Sequence, residues 1–355
     1  MKTVRLRYFA ACNSEEGFYS FYRNVFTDEL TNIYIIKGGP GTGKSSLMCR
    51  VADAAEQKGY RIEEIYCSSD PESLDGVIAQ GKDRSFAVLD GTAPHVTEME
   101  LPGARDEILY IGDFWSADRL REQKTAIAGD DQKRAECYRT LYRFLKAAGQ
   151  CERNMEEAMS PLLDRDKLSG AISRILLPYP MGSAFSQKTM LISSIGMYGY
   201  HQFPTFEEHA DTVYDVYDCG EIAYLLYDEL IRMAEQRGLR VWVSYDPLIP
   251  SRKNGVCLPD CRLSFVRCTE NFTKNEKTVH RFFMRRYIDT IGYHAVCKSI
   301  ETAQKCRDRL MDAAIDTLKQ IRNLHFSVEA RYVAAMDFES MRQHTDTWIE
   351  KIITE

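Results

Sequence analysis

Ile33-Tyr34-Ile35-Ile36-Lys37-Gly38-Gly39-Pro40-Gly41-Thr42-Gly43-Lys44-Ser45-Ser46 is the stretch that decides how this chain is read. Four apolar residues ending at Ile36 suit a buried strand. From Ser45 to Lys58 the apolar positions Leu47, Met48, Val51, Ala54 and Ala55 recur at helical spacing. The segment between them fits the pattern Gly-x4-Gly-Lys-Ser. A strand–loop–helix of this composition presents backbone N–H groups and the positive end of a helix to a polyphosphate. Its glycines let the backbone close around phosphates without Cβ clashes. Gly38, Gly39, Pro40, Gly41, Thr42, Gly43, Lys44, Ser45 and Ser46 therefore form the expected nucleotide-binding segment. Lys44 is expected to reach the β- and γ-phosphates and the Ser45 hydroxyl to ligate Mg²⁺, so the expected cofactors are ATP and Mg²⁺.

Downstream, Ser85-Phe86-Ala87-Val88-Leu89-Asp90 reads as a strand ending in an acid. Asp90 is expected to hold Mg²⁺ beside Ser45. Many hydrolytic P-loop ATPases place a glutamate directly after this acid, whereas here Gly91 follows. The base must then come from elsewhere, or hydrolysis is slow. His95 is the most distinctive candidate; Asp70, Glu107 and Asp113 are also placed near strand ends, where such groups cluster in a doubly wound sheet. Asp70 equally suits the start of a turn at Pro71. Cys67-Ser68-Ser69-Asp70-Pro71 follows a strand at a position that often meets the acceptor in P-loop kinases, which leaves a small-molecule acceptor open. Thr273-Lys274-Asn275-Glu276 is a weak candidate for guanine reading, with Glu in place of Asp.

Self-similarity organises the rest. Ala55-Glu56-Gln57-Lys58-Gly59-Tyr60-Arg61 recurs as Ala234-Glu235-Gln236-Arg237-Gly238-Leu239-Arg240, and Asp70-Pro71 recurs as Asp246-Pro247. These and other landmarks share an offset of about half the chain, which indicates a tandem duplication with a boundary near Pro178-Tyr179-Pro180. The expected domains are 1–178, with an intact phosphate loop, and 179–355, a degenerate copy. An offset of 179 sets Ala223 at the place of Lys44 and Tyr224 at that of Ser45. The second loop, Tyr217-Asp218-Cys219-Gly220-Glu221-Ile222, has acidic groups where a polyphosphate would sit and should repel one. The strand matching Ser85–Asp90, Arg262 to Val266, carries no acid at its end. Helical tails from about Asp118 to Leu168 and from about Tyr293 to Ile353 are expected to pair and pack the halves together. Leu141, Phe144, Leu145 and Ala148 share one face of the first tail. His280-Arg281 and Arg285-Arg286 form a basic cluster, readable as a solvated face or as a charge offered to the first site.

At 355 residues, 44% hydrophobic and 28% charged, the chain is an ordinary globular one, long enough for two domains. A net charge of −6 argues against nucleic-acid binding by phosphate neutralisation. No stretch approaches the length of a membrane span, and the start of the chain lacks the apolar core of a signal peptide. Eleven cysteines suit reduced thiols in a cytoplasmic protein. Cys257, Cys261 and Cys268 come near metal-ligand spacing, without a second pair to close a zinc site.

The motifs Lys37-Gly38-Gly39-Pro40-Gly41-Thr42-Gly43-Lys44-Ser45-Ser46, Cys67 to Gly76, Leu89-Asp90-Gly91-Thr92-Ala93-Pro94-His95 and Gly112-Asp113-Phe114-Trp115 together resemble a bacterial family of tandem P-loop ATPases, known mainly as predicted ATPases. The resemblance is tight over residues 1–120 and looser beyond. In that family the second half typically keeps its own Gly-Lys-Ser/Thr loop, and here it does not. The resemblance implies ATP binding and a cytoplasmic location and supplies no substrate. The expected fold is α/β: two tandem P-loop NTPase-like three-layer domains with mostly parallel sheets, each followed by a helical tail. The expected function is ATP hydrolysis coupled to a conformational change or to a protein partner. A small-molecule or nucleotide kinase and a non-hydrolysing nucleotide sensor are the alternatives.

Overall fold

In the computed structural model, which describes residues 5–94, 96–268 and 278–354, the two halves repeat one succession of elements. The first comprises β1 (Leu6–Phe9), β2 (Ala11–Ser14), β3 (Gly17–Ser20), α1 (Tyr22–Val25), β4 (Asn32–Lys37), α2 (Lys44–Gln57), β5 (Arg61–Tyr66), β6 (Leu74–Gln80), β7 (Ser85–Asp90) and β8 (Asp106–Tyr110). Three helices follow: α3 (Ala117–Glu122), α4 (Lys124–Met159) and α5 (Arg165–Leu176). The second half comprises β9 (Ser186–Thr189), β10 (Ser193–Gly196), β11 (Gly199–Gln202), α6 (Thr205–Glu208), β12 (Thr212–Tyr217), α7 (Tyr224–Gln236), β13 (Arg240–Tyr245), β14 (Lys253–Leu258), β15 (Leu263–Arg267) and β16 (Thr278–Phe283). It ends in α8 (Thr290–Ala335) and α9 (Phe338–Thr354).

Each half builds a six-stranded sheet in the same order, β1-β5-β6-β7-β4-β8 and β9-β13-β14-β15-β12-β16. Within each, one strand (β6 or β14) runs against its neighbours and the other pairings are parallel. The chain is thus an α/β protein with two similar mixed, mostly parallel sheets and long C-terminal helices. β4 has parallel neighbours on both sides, β7 and β8, which is why Ile33 to Ile36 is apolar throughout rather than alternating. Leu47, Met48, Val51 and Ala55 seat α2 on the first sheet; Leu226, Tyr227, Leu230 and Ala234 seat α7 on the second.

The helical tails cross over. Leu168, Ile172 and Leu176 of α5 enter the core of the second sheet, whereas Met341, Ile349 and Ile352 of α9 enter that of the first. Between these ends, α4 and α8, 36 and 46 residues long, pair antiparallel over much of their length. At 1.5 Å per residue they span about 54 and 69 Å. Leu141, Leu145 and Ala148 meet Ala314, Leu318 and Ile321, as the expected apolar face requires. Asp130–Arg331 at 3.0 Å and Glu152–Arg307 at 3.2 Å set the register at either end.

Cross-contacts between the halves come in matched pairs. Met197 N–H donates to Ser69 O at 2.7 Å, and Glu15 N–H donates to Leu248 O at 2.9 Å. Phe203 meets Tyr66 at 4.8 Å, and Phe21 meets Tyr245 at 5.0 Å. The isolated bridges Trp115–Met336 and Leu163–Ile288 repeat the pattern where the helices cross. The halves therefore pack as two copies about an approximate two-fold axis. The remaining faces of both sheets share one cluster, in which Ile35, Ile65 and Leu89 meet Met190, Val213 and Val266. Among the described residues no helix is long and apolar enough to cross a membrane.

Candidate functional site

The loop Gly38–Gly43 joins the C-terminal end of β4 to α2, at the edge of the sheet where β7 and β8 also end. Gly41 and Gly43 hold φ of +67° and +87°, values that strain any residue with a Cβ. Thr42 Oγ1 donates to Gly39 O at 2.7 Å and closes the turn. Lys44 folds back over the loop: its Nζ donates to Gly39 O at 2.7 Å and to Gly38 O at 3.2 Å, and lies 3.5 Å from Asp90 Oδ2. Asp90 Oδ1 accepts from Thr92 N–H at 2.9 Å and from the Thr92 hydroxyl at 2.6 Å. Ser45 Oγ accepts from Leu74 N–H at 2.9 Å, which leaves its own hydrogen and a lone pair available. Lys44, Ser45 and Asp90 are thus gathered at one loop.

The far end of the chain covers this loop, which nothing in its local sequence announces. A Cβ on Gly39 would lie 2.6 Å from the Tyr332 ring, one on Gly41 2.5 Å from Glu329 Cγ, and one on Gly43 2.9 Å from Met341 Cε. The last turns of α8 and the first of α9 rest on the glycines directly. Burial raises the pKa of Glu329, with Asp70 adding to the rise and Lys44 opposing it. Burial, then Arg134 and Lys44, lower that of His325, against Asp131. Glu329 and His325 are therefore charge neighbours of Lys44 contributed by the second half.

The other sequence candidates fall out differently. His95 and Thr273–Glu276 lie outside the described residues. Asp70 does begin a turn, with Glu72 N–H on its Oδ1 at 3.1 Å, yet its charge also faces Glu329. Glu107 sits at the start of β8, opposite Tyr34 in the middle of β4 and so away from the loop, and pairs with Lys351 at 3.9 Å. The sequence placed Glu107 near a strand end without saying which end, and it is the wrong one for a base. Asp113 is exposed beyond the other end of β8. A Cβ on Gly91 would lie 2.3 Å from Ile35 Cγ2, so the position after Asp90 has no room for a glutamate. The hairpin of β10 and β11 occupies the space over Ser68 and Ser69: Ser194 Oγ donates to Ser68 O at 2.7 Å, and a Cβ on Gly196 would strike both carbonyls. Cys257 and Cys261 enter different hydrophobic clusters, and none of the eleven cysteines forms a disulfide.

The second loop is sealed by its own charges. β12 and α7 begin 180 residues after β4 and α2, so Tyr224 stands where Lys44 does; the offset of 179 holds only from the helix ends onward, because α7 is one residue shorter. Asp218 Oδ1 accepts from the N–H groups of Cys219, Ile222 and Ala223 at 2.6, 3.1 and 2.9 Å. A side-chain carboxylate thereby fills the cradle of amides at the start of α7. By register, Asp90 pairs with Ile36 and Arg267 pairs with Val216, so an arginine replaces the acid of the first copy. Arg267 lies 2.9 Å from Glu221, 3.9 Å from Asp246 and 4.0 Å from Asp218. The second copy thus carries its cation on the strand end that bears the acid in the first, and its acids within the loop. Arg307 adds a second contact to Glu221 at 2.9 Å, and Arg252 reaches Glu152 at 3.4 Å. Burial and then Glu221 push Asp218 up to about 6, while Arg267 and the backbone amides oppose that rise. Glu221 is held low: burial acts against it, but Arg267 and Arg307 prevail. The end of α4 closes this loop, with Met159 against Gly220, as α8 closes the first.

No protein-family model, curated protein or solved structure matches this chain.

Proposed function

We propose that this chain is a P-loop NTPase of the tandem type it resembles, with one live Mg²⁺–ATP site at Gly38–Ser46, and that turnover there moves the corner between α8 and α9. The observation that carries the reading is the loop itself: two left-handed glycines and a lysine folded onto its own loop carbonyls, 3.5 Å from Asp90. Those lysine hydrogen bonds are ones a phosphate oxygen could replace, and the loop amides and Gly43–Lys44 helix start favour an anion. Ser45 and Asp90 would hold Mg²⁺, which when bound supplies neutralisation of phosphate charge. Glu329, Tyr332, Val333 and Met341 contact the same glycines, so a ligand in the loop competes with the packing of this corner. The corner connects through α8 and α4 to the sealed second loop, and this link supports coupling to conformation or to a partner.

Gly91 favours a second reading, a nucleotide sensor that does not hydrolyse, because the usual water-activating glutamate has no space there. The packing of the β10–β11 hairpin on Ser68 and Ser69 weighs against the kinase alternative. Calorimetric titration with Mg²⁺–ATP tests the site: Lys44→Ala is expected to remove one equivalent from the wild-type stoichiometry. A stoichiometry unchanged in Lys44→Ala, or no binding at all in the wild type, would overturn the assignment to this loop. Phosphate release without an acceptor then selects the ATPase, and binding without release selects the sensor. Amide exchange across residues 325–341 is expected to speed up with Mg²⁺–ATP; unchanged exchange would remove the coupling.

A further inference from the structure

The basic cluster His280-Arg281 and Arg285-Arg286 finds its place away from the first loop. His280, Arg281 and Arg286 line a cleft of about 490 Å³ between α5 and the strands β12 and β16, within the size range of small-ligand pockets (roughly 300–1,000 Å³), whereas Arg285 lies over the Tyr293 ring. The cleft exists because the duplication diverged here. Asp337 caps α9 by accepting from Ser340 N–H at 3.1 Å, and Asp164 caps α5 by accepting from Lys167 N–H at 2.9 Å. Counting from these caps, Trp348 in α9 corresponds to Ile175 in α5. Trp348 packs edge-on to Tyr34 at 5.5 Å and fills the space beside the first sheet. In the second half the smaller Ile175 stands there, α5 stops at Leu176 ahead of Pro178, and Tyr214, the register counterpart of Tyr34, is left half-exposed to the gap.

The chemistry of the walls is unbalanced. Arg174, Arg281 and Arg286 line the cleft, and among the described residues no carboxylate does. None of the three has an ion-pair partner among the described residues, in a chain whose net charge is −6. All three are exposed, so solvent screens their mutual repulsion, but together they present a local positive field to an anion, and guanidinium groups suit phosphate oxygens. The remaining walls carry aromatic rings: His280 stacks on Tyr214 at 5.0 Å, and Phe282 stacks on Tyr287 at 5.2 Å. Aromatic faces beside arginines hold a heterocycle by stacking.

We propose that this cleft is a second ligand site, for a nucleoside monophosphate, with the phosphate on Arg174, Arg281 and Arg286 and the base against the aromatic walls. It is distinct from the Lys44 site and does not depend on the function assigned to it. The test uses full-length Lys44→Ala protein titrated calorimetrically with AMP and UMP, and with adenosine, inorganic phosphate and a single-stranded decanucleotide as comparisons. One equivalent of mononucleotide is expected to bind. Adenosine and phosphate alone are each expected to bind at least about tenfold more weakly, and Arg174→Ala to weaken the mononucleotide by a similar factor. Arg174 is exposed, so this variant leaves the core intact. Ile175→Trp, which restores the residue of the first copy, is expected to abolish binding. The proposal is overturned if neither mononucleotide binds at millimolar concentration, or if binding survives both Arg174→Ala and Ile175→Trp. A decanucleotide binding a hundredfold tighter than AMP would also overturn it, by assigning the surface to single-stranded nucleic acid.

Discussion

Replacing Arg267 by methionine keeps the aliphatic stem and removes the charge on which the second loop closes. Three carboxylates surround that guanidinium, Glu221 at 2.9 Å, Asp246 at 3.9 Å and Asp218 at 4.0 Å, and their side chains are only 10–15% exposed. Removing one partner from a buried ion cluster costs about 3–5 kcal/mol, because the remaining charges stay desolvated. Arg307 still contacts Glu221, so the lower end, about 3 kcal/mol at pH 8, is expected. The sign of the pH dependence follows from Asp218. Its folded pKa, pushed up to about 6 by burial and Glu221, exceeds its unfolded value, so the folded state takes up a proton as pH falls. Without Arg267 this and the neighbouring acids rise further. Each added unit costs about 1.4 kcal/mol above the folded pKa, and none of that cost remains below the unfolded one. The deficit of the variant should therefore shrink by at least half between pH 8 and pH 5. Urea denaturation followed by circular dichroism at both pH values measures it, and adding Glu221→Gln should recover part of the loss at pH 8. A deficit under about 1 kcal/mol at pH 8, or one equal at both pH values, would refute the idea that these charges seal the loop.

Other perturbations address separate contacts. Glu207, 3% exposed, is pushed up to about 7 by burial, with Asp215 and Glu208 adding to the rise. The wild type should lose roughly 3 kcal/mol as pH climbs from about 4.5 to 7, and Glu207→Gln should remove that slope in denaturation curves; an unchanged slope would count against it. Gly41→Ala and Gly59→Ala both place a Cβ at positive φ, but only Gly41 meets side chains, whereas Gly59 faces open space. Strain alone costs about 1 kcal/mol, so Gly59→Ala should lose about that much and Gly41→Ala at least twice as much. Equal losses would mean that α8 does not bear on the loop. Neither Ala223→Lys nor Tyr224→Lys should add a second equivalent of Mg²⁺–ATP in calorimetry, because the carboxylate of Asp218 already holds the amides; a second equivalent would show that the lysine was the only missing part.

Much of the fold was legible because it rests on local pattern. The apolar run before Gly38, the helical spacing after Lys44 and the repeated Ala-Glu-Gln segments marked strand, helix and duplication, and the sheets repeat in order as a duplication requires. That Lys44, Ser45 and Asp90 lie near one loop was legible because the first two share one turn and the third ends a neighbouring strand. Arg267 was missed by a single position at the end of β15, and the loop alignment slipped by one because α7 is a residue shorter than α2. Both errors come from reading a register at its less constrained end. The crossing of the helical tails left no trace in spacing, since α5 and α9 have apolar faces that would suit either sheet.

By itself the sequence determined the local character of the two loops: glycines and a lysine in the first, acidic side chains in the second, which set backbone freedom and charge. Tertiary structure alone decided what stands against those loops. Glu329, Tyr332 and Met341 reach the first, some 290 residues along the chain, and Arg267, Arg307 and Met159 close the second. The reason is physical: a helix of 46 residues brings its end to whatever surface its paired seam and its cap direct it to, and such a destination depends on packing between halves rather than on any neighbour in the chain.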